Sequence, residues 1–168
     1  MVVEIGDWKF DIRMEATMEY SAKEAKEHCV CDYCKNFYAS VDKVYPNLRS
    51  FLAQFGLDIE APDELMPYDM DNEMFDDGVY AVSGKILSVG AAELVCDGCR
   101  IAPTQEHELY VNTECPAPYF YLDVGTMVLP WALDEPMQDV ISPANVPPFL
   151  KRMWNKMLKR QPKSNLTS

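Results

Sequence analysis

The chain has 168 residues, about half of them apolar and a quarter charged, which suits one globular domain burying roughly 70% of its unfolded surface. It carries a net charge of −12: residues 1–150 hold all 27 acids against 9 Lys/Arg (9 − 27 = −18), and residues 151–168 hold 6 Lys/Arg and no acid. A body this acidic repels phosphate backbones and anionic lipid, which argues against nucleic acid as a partner and favours a basic one.

No run of 18 apolar residues suggests a membrane span, and the opening MVVEIGDWKF lacks the basic and apolar regions of a signal peptide. The expectation is a cytoplasmic, reducing location. There, six cysteines are free thiols or metal ligands rather than disulfides.

Glu4 to Ile12 alternates Trp8, Phe10 and Ile12 with Lys9 and Asp11, the pattern of a half-buried strand with a bulge or turn at Gly6-Asp7. Glu15 to Lys26 is rich in Ala, Glu, Lys and Met and reads as a short helix from Ala16 or Thr17. The alternation of Met14, Ala16, Met18 and Tyr20 leaves a strand extension open. Next comes the densest chemistry in the chain, His28-Cys29-Val30-Cys31-Asp32-Tyr33-Cys34. Asp32 is placed to cap a helix whose apolar stripe is Cys34, Phe37, Tyr38, Val41, Val44 and Tyr45. Pro46 ends that helix or opens another, in which Leu48, Phe51, Leu52 and Phe55 repeat the helical spacing before Gly56. These Phe and Tyr side chains read as core.

Residues 58–77 hold nine acids and no base. A calcium loop starting at Asp69 would place Asp71 and Glu73 correctly, but Met74 takes the glycine position and Tyr80 the bidentate glutamate position, so a solvated acidic loop or edge is the better reading. Asp77-Gly78 has the sequence of a hairpin turn between Leu65–Met70 and Val79–Val89. Further strands are expected over 91–101 (turning at Asp97-Gly98), 108–111 and 119–129, with Cys115-Pro116-Ala117-Pro118 as a breaker.

The expected architecture is α+β: two or three helices on one face of an antiparallel sheet of about four to five strands, within a domain spanning 1–133. A Pro-rich arm (134–146) and a basic amphipathic helix (147–160) follow, then a disordered tail (161–168). Phe149, Leu150, Met153, Trp154, Met157 and Leu158 form the helix's apolar face, suited to docking on the body or to homodimerisation.

Two cysteine knuckles, Cys31-x-x-Cys34 with Cys29 and Cys96-x-x-Cys99, suggest zinc, which takes four tetrahedral ligands, often two from each knuckle. Cys115, His28 and His107 are reserve ligands. The 61 residues between Cys34 and the second pair (96 − 34 − 1) must be closed by the fold for the knuckles to meet. The alternatives are unrelated reduced thiols packed as small hydrophobes, or a thiol oxidoreductase at Cys31/Cys34, with Cys34 activated in a first helical turn. No GxSxG, GxxxxGK[ST], GxGxxG or HExxH occurs, and the chain has only two histidines, so a non-enzymatic binding or regulatory module leads over an enzyme.

The word Cys29-x-Cys31-x-x-Cys34-x-Asn36-Phe37, the two helices after it, the phrase FGLDIEAP and the closing Leu129-Pro130-Trp131 resemble a family of small uncharacterised bacterial cytosolic proteins, over roughly residues 5–133. The resemblance implies an α+β domain and brings no activity or catalytic residues. The second knuckle and the basic C-terminal helix are not part of that pattern.

Overall fold

The computed structural model describes residues 1–26, 29–70, 73–106 and 113–134. The expected arm beyond Asp134, the basic helix, the tail, the strand at 108–111 and both histidines lie outside the described residues.

Among the described residues there are three helices and one seven-stranded antiparallel sheet, an α+β fold. The strands are β1 (Val2–Ile5), β2 (Trp8–Ile12), β3 (Glu64–Met70), β4 (Glu73–Ser88), β5 (Leu94–Cys96), β6 (Cys99–Thr104) and β7 (Tyr119–Val128). The helices are α1 (Met14–Glu24), α2 (Asp32–Val44) and α3 (Pro46–Ala53). The strands run in the order β1-β2-β4-β7-β6-β5, with β3 also paired to β4. The strand count exceeds the expected four to five for two local reasons. Gly6-Asp7 is the turn of a β1–β2 hairpin rather than a bulge within one strand, and residues 91–101 contribute two strands around Asp97-Gly98.

The long strand β4 is the axis of the sheet. Its first half pairs with β3, its last residues with β2, and β7 covers most of the other edge. The expected turn at Asp77-Gly78 does not form, because both residues lie inside β4. The register slips between Asp76 and Gly78, and the Asp77 carboxylate accepts the N–H of Thr126 at 2.9 Å, so a bulge replaces the turn. Of the three acids that a calcium loop would use, Asp69 and Glu73 belong to paired strands, and Asp71 lies outside the described residues. At the other end Gly84 has φ +153°, and a Cβ there would stand 2.1 Å from the Asp11 carbonyl oxygen. Only glycine permits β2 to approach so closely where β4 leaves β7.

Between β2 and β3, that edge of β4 has no neighbouring strand, and side chains complete it. Ala81 N–H donates to the Asp63 carboxylate at 2.7 Å and Ser83 N–H to Thr17 Oγ1 at 3.1 Å, while Asp63 N–H and Arg13 N–H donate to the carbonyls of Val79 and Ser83. The first turn of α1 thus wedges into the sheet edge, satisfying backbone groups that would otherwise be buried unpaired. This accounts for a helix where alternation alone also allowed a strand.

Alternate β4 residues supply two cores. Tyr80 and Val82 join Phe37, Val41, Leu48, Leu52 and Phe55 of the α2–α3 region, with Phe120, Leu122 and Val124 of β7. Val79 and Ala81 face the opposite side with Tyr121, Cys115 and Tyr20 of α1. So α2 and α3 share one face, as expected, whereas α1 sends Tyr20 to the other. In the main core, Phe10 packs edge-on to Phe55 at 5.2 Å between ring centroids and stacks on Phe120 at 5.5 Å. The acidic segment is also less solvated than expected. Arg49 binds Asp42, Asp58 and Glu60, and Asp76 and Asp77 are buried.

Candidate metal centre

Cys29 lies in the irregular lead-in to α2, Cys31 at its N-cap position with an extended backbone (φ −69°, ψ 156°), and Cys34 in its first turn. Extended chain brings residues i and i+2 to one side, and a helical turn does the same for i and i+3. The spacing C-x-C-x-x-C changes period where the backbone does, so all three thiols share one face. Their sulfurs lie within 4.8 Å of one another. Asp32 is the first helical residue rather than the cap, and Cys31 makes no side-chain cap hydrogen bond. Cys29 and Cys31 are exposed and Cys34 is half-buried.

Three contacts fix α2, and with it Cys34. Asn36, buried, donates from its amide to the Pro130 carbonyl at 3.2 Å and accepts the Ala132 N–H at 2.7 Å. Tyr33 meets Trp131 edge-on, with ring centroids 5.9 Å apart. At the far end the Tyr45 hydroxyl accepts the Val128 N–H at 2.7 Å and faces the Val128 carbonyl at 3.0 Å. The Asn-Phe of the cysteine word and the Leu-Pro-Trp phrase, 94 residues apart, are thus two halves of one clasp.

Cys29 and Cys34 open onto a cleft of about 140 Å³, also lined by Glu24, Tyr38, Asp63 and Glu64. Asp63 is already committed: its carboxylate accepts the Tyr20 hydroxyl and the Ala81 N–H. The thiols differ electrostatically. The backbone N–H of Cys31, then the Cys31 and Cys34 thiols, hold the Cys29 thiol below its ordinary pKa. Burial, then the Cys31 and Cys29 sulfurs, push Cys34 up. The expectation of an activated Cys34 is therefore corrected, because desolvation at this half-buried position outweighs the helix N-terminus. Burial and the adjacent thiols raise Tyr38 to about 12.

Cys96 and Cys99 do not join the cluster. They face each other across the β5–β6 hairpin, whose two turn residues Asp97 (φ 51°) and Gly98 (φ 82°) are both left-handed, a type I′ turn. Asp97 caps α3, accepting the N–H groups of Asn47 (2.8 Å) and Leu48 (3.1 Å) and the Asn47 amide (2.7 Å). Cys99 sits against Tyr45 beyond the C-terminal end of α2, about 16 Å along the helix from Cys34 at 1.5 Å per residue. Cys115 is buried in the second core, where burial raises its thiol to about 12. A two-knuckle site is therefore not assembled, and His28 and His107 lie outside the described residues.

Three cysteines lie close enough to hold a metal ion. Zinc–sulfur bonds of about 2.3 Å place tetrahedral sulfurs roughly 3.8 Å apart, so a small inward movement of an exposed, non-helical Cys29 closes the set. The sequence marked the three thiols but gave no signal for Glu24, Glu64 or Tyr38 beside them, since the fold alone unites those residues. No protein-family model, curated protein or solved structure matches the chain. Among the described residues, no helix is long and apolar enough to cross a membrane.

Proposed function

We propose that this chain is a non-enzymatic metal-binding module in which Cys29, Cys31 and Cys34 hold a thiophilic divalent ion, zinc before others. The observation that carries this reading is the convergence of three sulfurs on one face at the start of α2. Three soft thiolate donors select zinc over the hard cations that the surrounding carboxylates alone would attract. A fourth ligand would be supplied by water, a carboxylate or a partner's side chain, and Glu24 and Glu64 line the cleft onto which Cys29 and Cys34 open. The core of α2, α3 and the sheet is complete without the ion, so the ion orders the lead-in at residues 29–31 rather than the fold.

Zinc analysis of reduced protein purified without chelator tests this, with close to one equivalent per chain expected. Cobalt substitution should give a thiolate-to-cobalt charge-transfer band that is absent from the Cys29→Ser/Cys31→Ser/Cys34→Ser variant. Reduced protein that takes up less than about 0.2 equivalents from buffered zinc would end the proposal, because thiolate zinc sites bind tightly.

A further inference from the structure

The same cluster carries an inference about how its ion is released. We propose that Cys29 and Cys34 close into a disulfide when a peroxide reaches the cleft, converting the metal centre into an oxidation-released one. The disulfide rests on geometry alone; the release of the ion rests on the metal-binding reading above.

The sulfurs lie within 4.8 Å of each other, and a disulfide of about 2.05 Å requires an approach of at most roughly 2.7 Å. Cys29 can supply that movement, because it is exposed and lies outside regular secondary structure before α2. Cys34 cannot move far, because α2 is held by Phe37 in the core and by the Asn36 clasp. Both residues line the cleft of about 140 Å³, while Cys31 is not on its wall. The volume admits a peroxide molecule beside solvent, since about 10–15 Å³ of cavity measured this way holds one water. Exposed Cys29 is the first thiolate a peroxide meets, and half-buried Cys34 is the resolving thiol behind it.

The chemistry balances. The Cys29 thiolate attacks one peroxide oxygen, the O–O bond breaks, and Cys29 becomes a sulfenic acid with hydroxide as leaving group. Cys34 sulfur then attacks the sulfenic sulfur, the S–O bond breaks, and the oxygen leaves as water with the Cys34 proton. The peroxide gains two electrons and the two sulfurs lose them. Of the three thiolate donors only Cys31 remains, too few to retain the ion.

The test uses the full chain with Cys96→Ser, which removes the facing Cys96–Cys99 pair as a competing site. Reduced protein, metal-free and zinc-loaded, is treated with one equivalent of hydrogen peroxide, and intact mass and chelator-detected zinc are followed. Loss of the mass of two hydrogens is expected, accompanied in the loaded protein by release of its zinc. The loss should persist in Cys31→Ser and vanish in Cys29→Ser and Cys34→Ser. Unchanged mass in the reduced protein, or a loss that depends on Cys31, overturns the inference while leaving zinc binding intact. A disulfide forming in protein that never bound zinc leaves the pairing standing and removes the metal reading instead.

Discussion

The chain uses Cys-x-x-Cys twice at the start of a helix, to opposite ends. At α2 the second cysteine sits in the first turn, the N-cap residue makes no side-chain cap, and Cys29 adds a third sulfur on the same face. At α3 the two cysteines belong to a neighbouring hairpin, and the residue between them, Asp97, reaches across to cap the helix. One pair leaves Cys34 facing a cleft and Cys31 exposed beside it. The other turns Cys99 into the core against Tyr45 and uses its intervening Asp-Gly for backbone geometry. A short cysteine motif therefore acquires meaning from whether the carboxylate or the sulfur meets the helix.

The largest effect expected from this contrast is in metal affinity. Cys34→Ser should weaken zinc binding at least about 100-fold, the upper range for loss of an outer-shell partner and a lower bound for a direct ligand. Cys96→Ser should leave it unchanged. Equal losses in the two variants, read by competition with a chromogenic chelator, would erase the distinction between the knuckles.

Asn36→Ala comes next. It removes both hydrogen bonds of the buried Asn36 amide, to the Pro130 carbonyl and from the Ala132 N–H, so a stability loss of about 1–3 kcal/mol is expected in denaturant unfolding. Because this clasp holds the start of α2, zinc affinity should fall with it. A variant as stable as the parent would show that the clasp is incidental.

The α3 side of the molecule holds a further asymmetry. Burial, then the neighbouring Asp77 charge, raises Asp76 to about 7 from 3.8, beside Tyr45 and in strand register with Pro67 and Met127. The folded state thus keeps a proton that the unfolded chain releases between about pH 4 and pH 7. Its contribution is full below that window and is lost as pH rises through it. Asp76→Asn should flatten this dependence and gain on the parent by on the order of 2 kcal/mol from pH 5 to pH 8, since one pKa unit is about 1.4 kcal/mol. Parallel stability curves for the two proteins over that range would remove Asp76 as the cause.

Much of this was legible in the residues. The stripe Phe37, Tyr38, Val41, Tyr45 and then Leu48, Phe51, Leu52, Phe55 placed α2 and α3, because helical periodicity is a local property. The three thiols of the candidate centre were equally visible, since two and then three residues match extended chain turning into helix. What stayed hidden depends on distant partners. Asp77-Gly78 is a turn by local preference, yet Thr126 and β7 hold it in a strand. Asp63 looked like one more solvated acid and instead completes the edge of β4 for want of a strand there. Asn36 carried no sign that its partner lay at Pro130. Cys34 seemed activated by position, whereas its burial, a tertiary quantity, sets the opposite direction.

The smallest effect tests the second knuckle in its structural role. The Asp97 carboxylate is held below its ordinary pKa, the Asn47 amide being the largest cause and the Leu48 and Asn47 backbone N–H groups adding to it. Asp97→Ala removes an N-cap supplied from another element, which should lower the midpoint of denaturant unfolding slightly, the direction expected for a lost cap. Asp97→Asn should recover part of that loss, because an amide oxygen still accepts from the helix N-terminus and asparagine tolerates the left-handed backbone at this position. Zinc affinity should be the same in both variants, since the cap lies at the opposite end of α2 from Cys34. A loss of stability equal for Ala and Asn would place the effect in the turn rather than the cap, and any change in metal affinity would show that the two helix starts are coupled through α2.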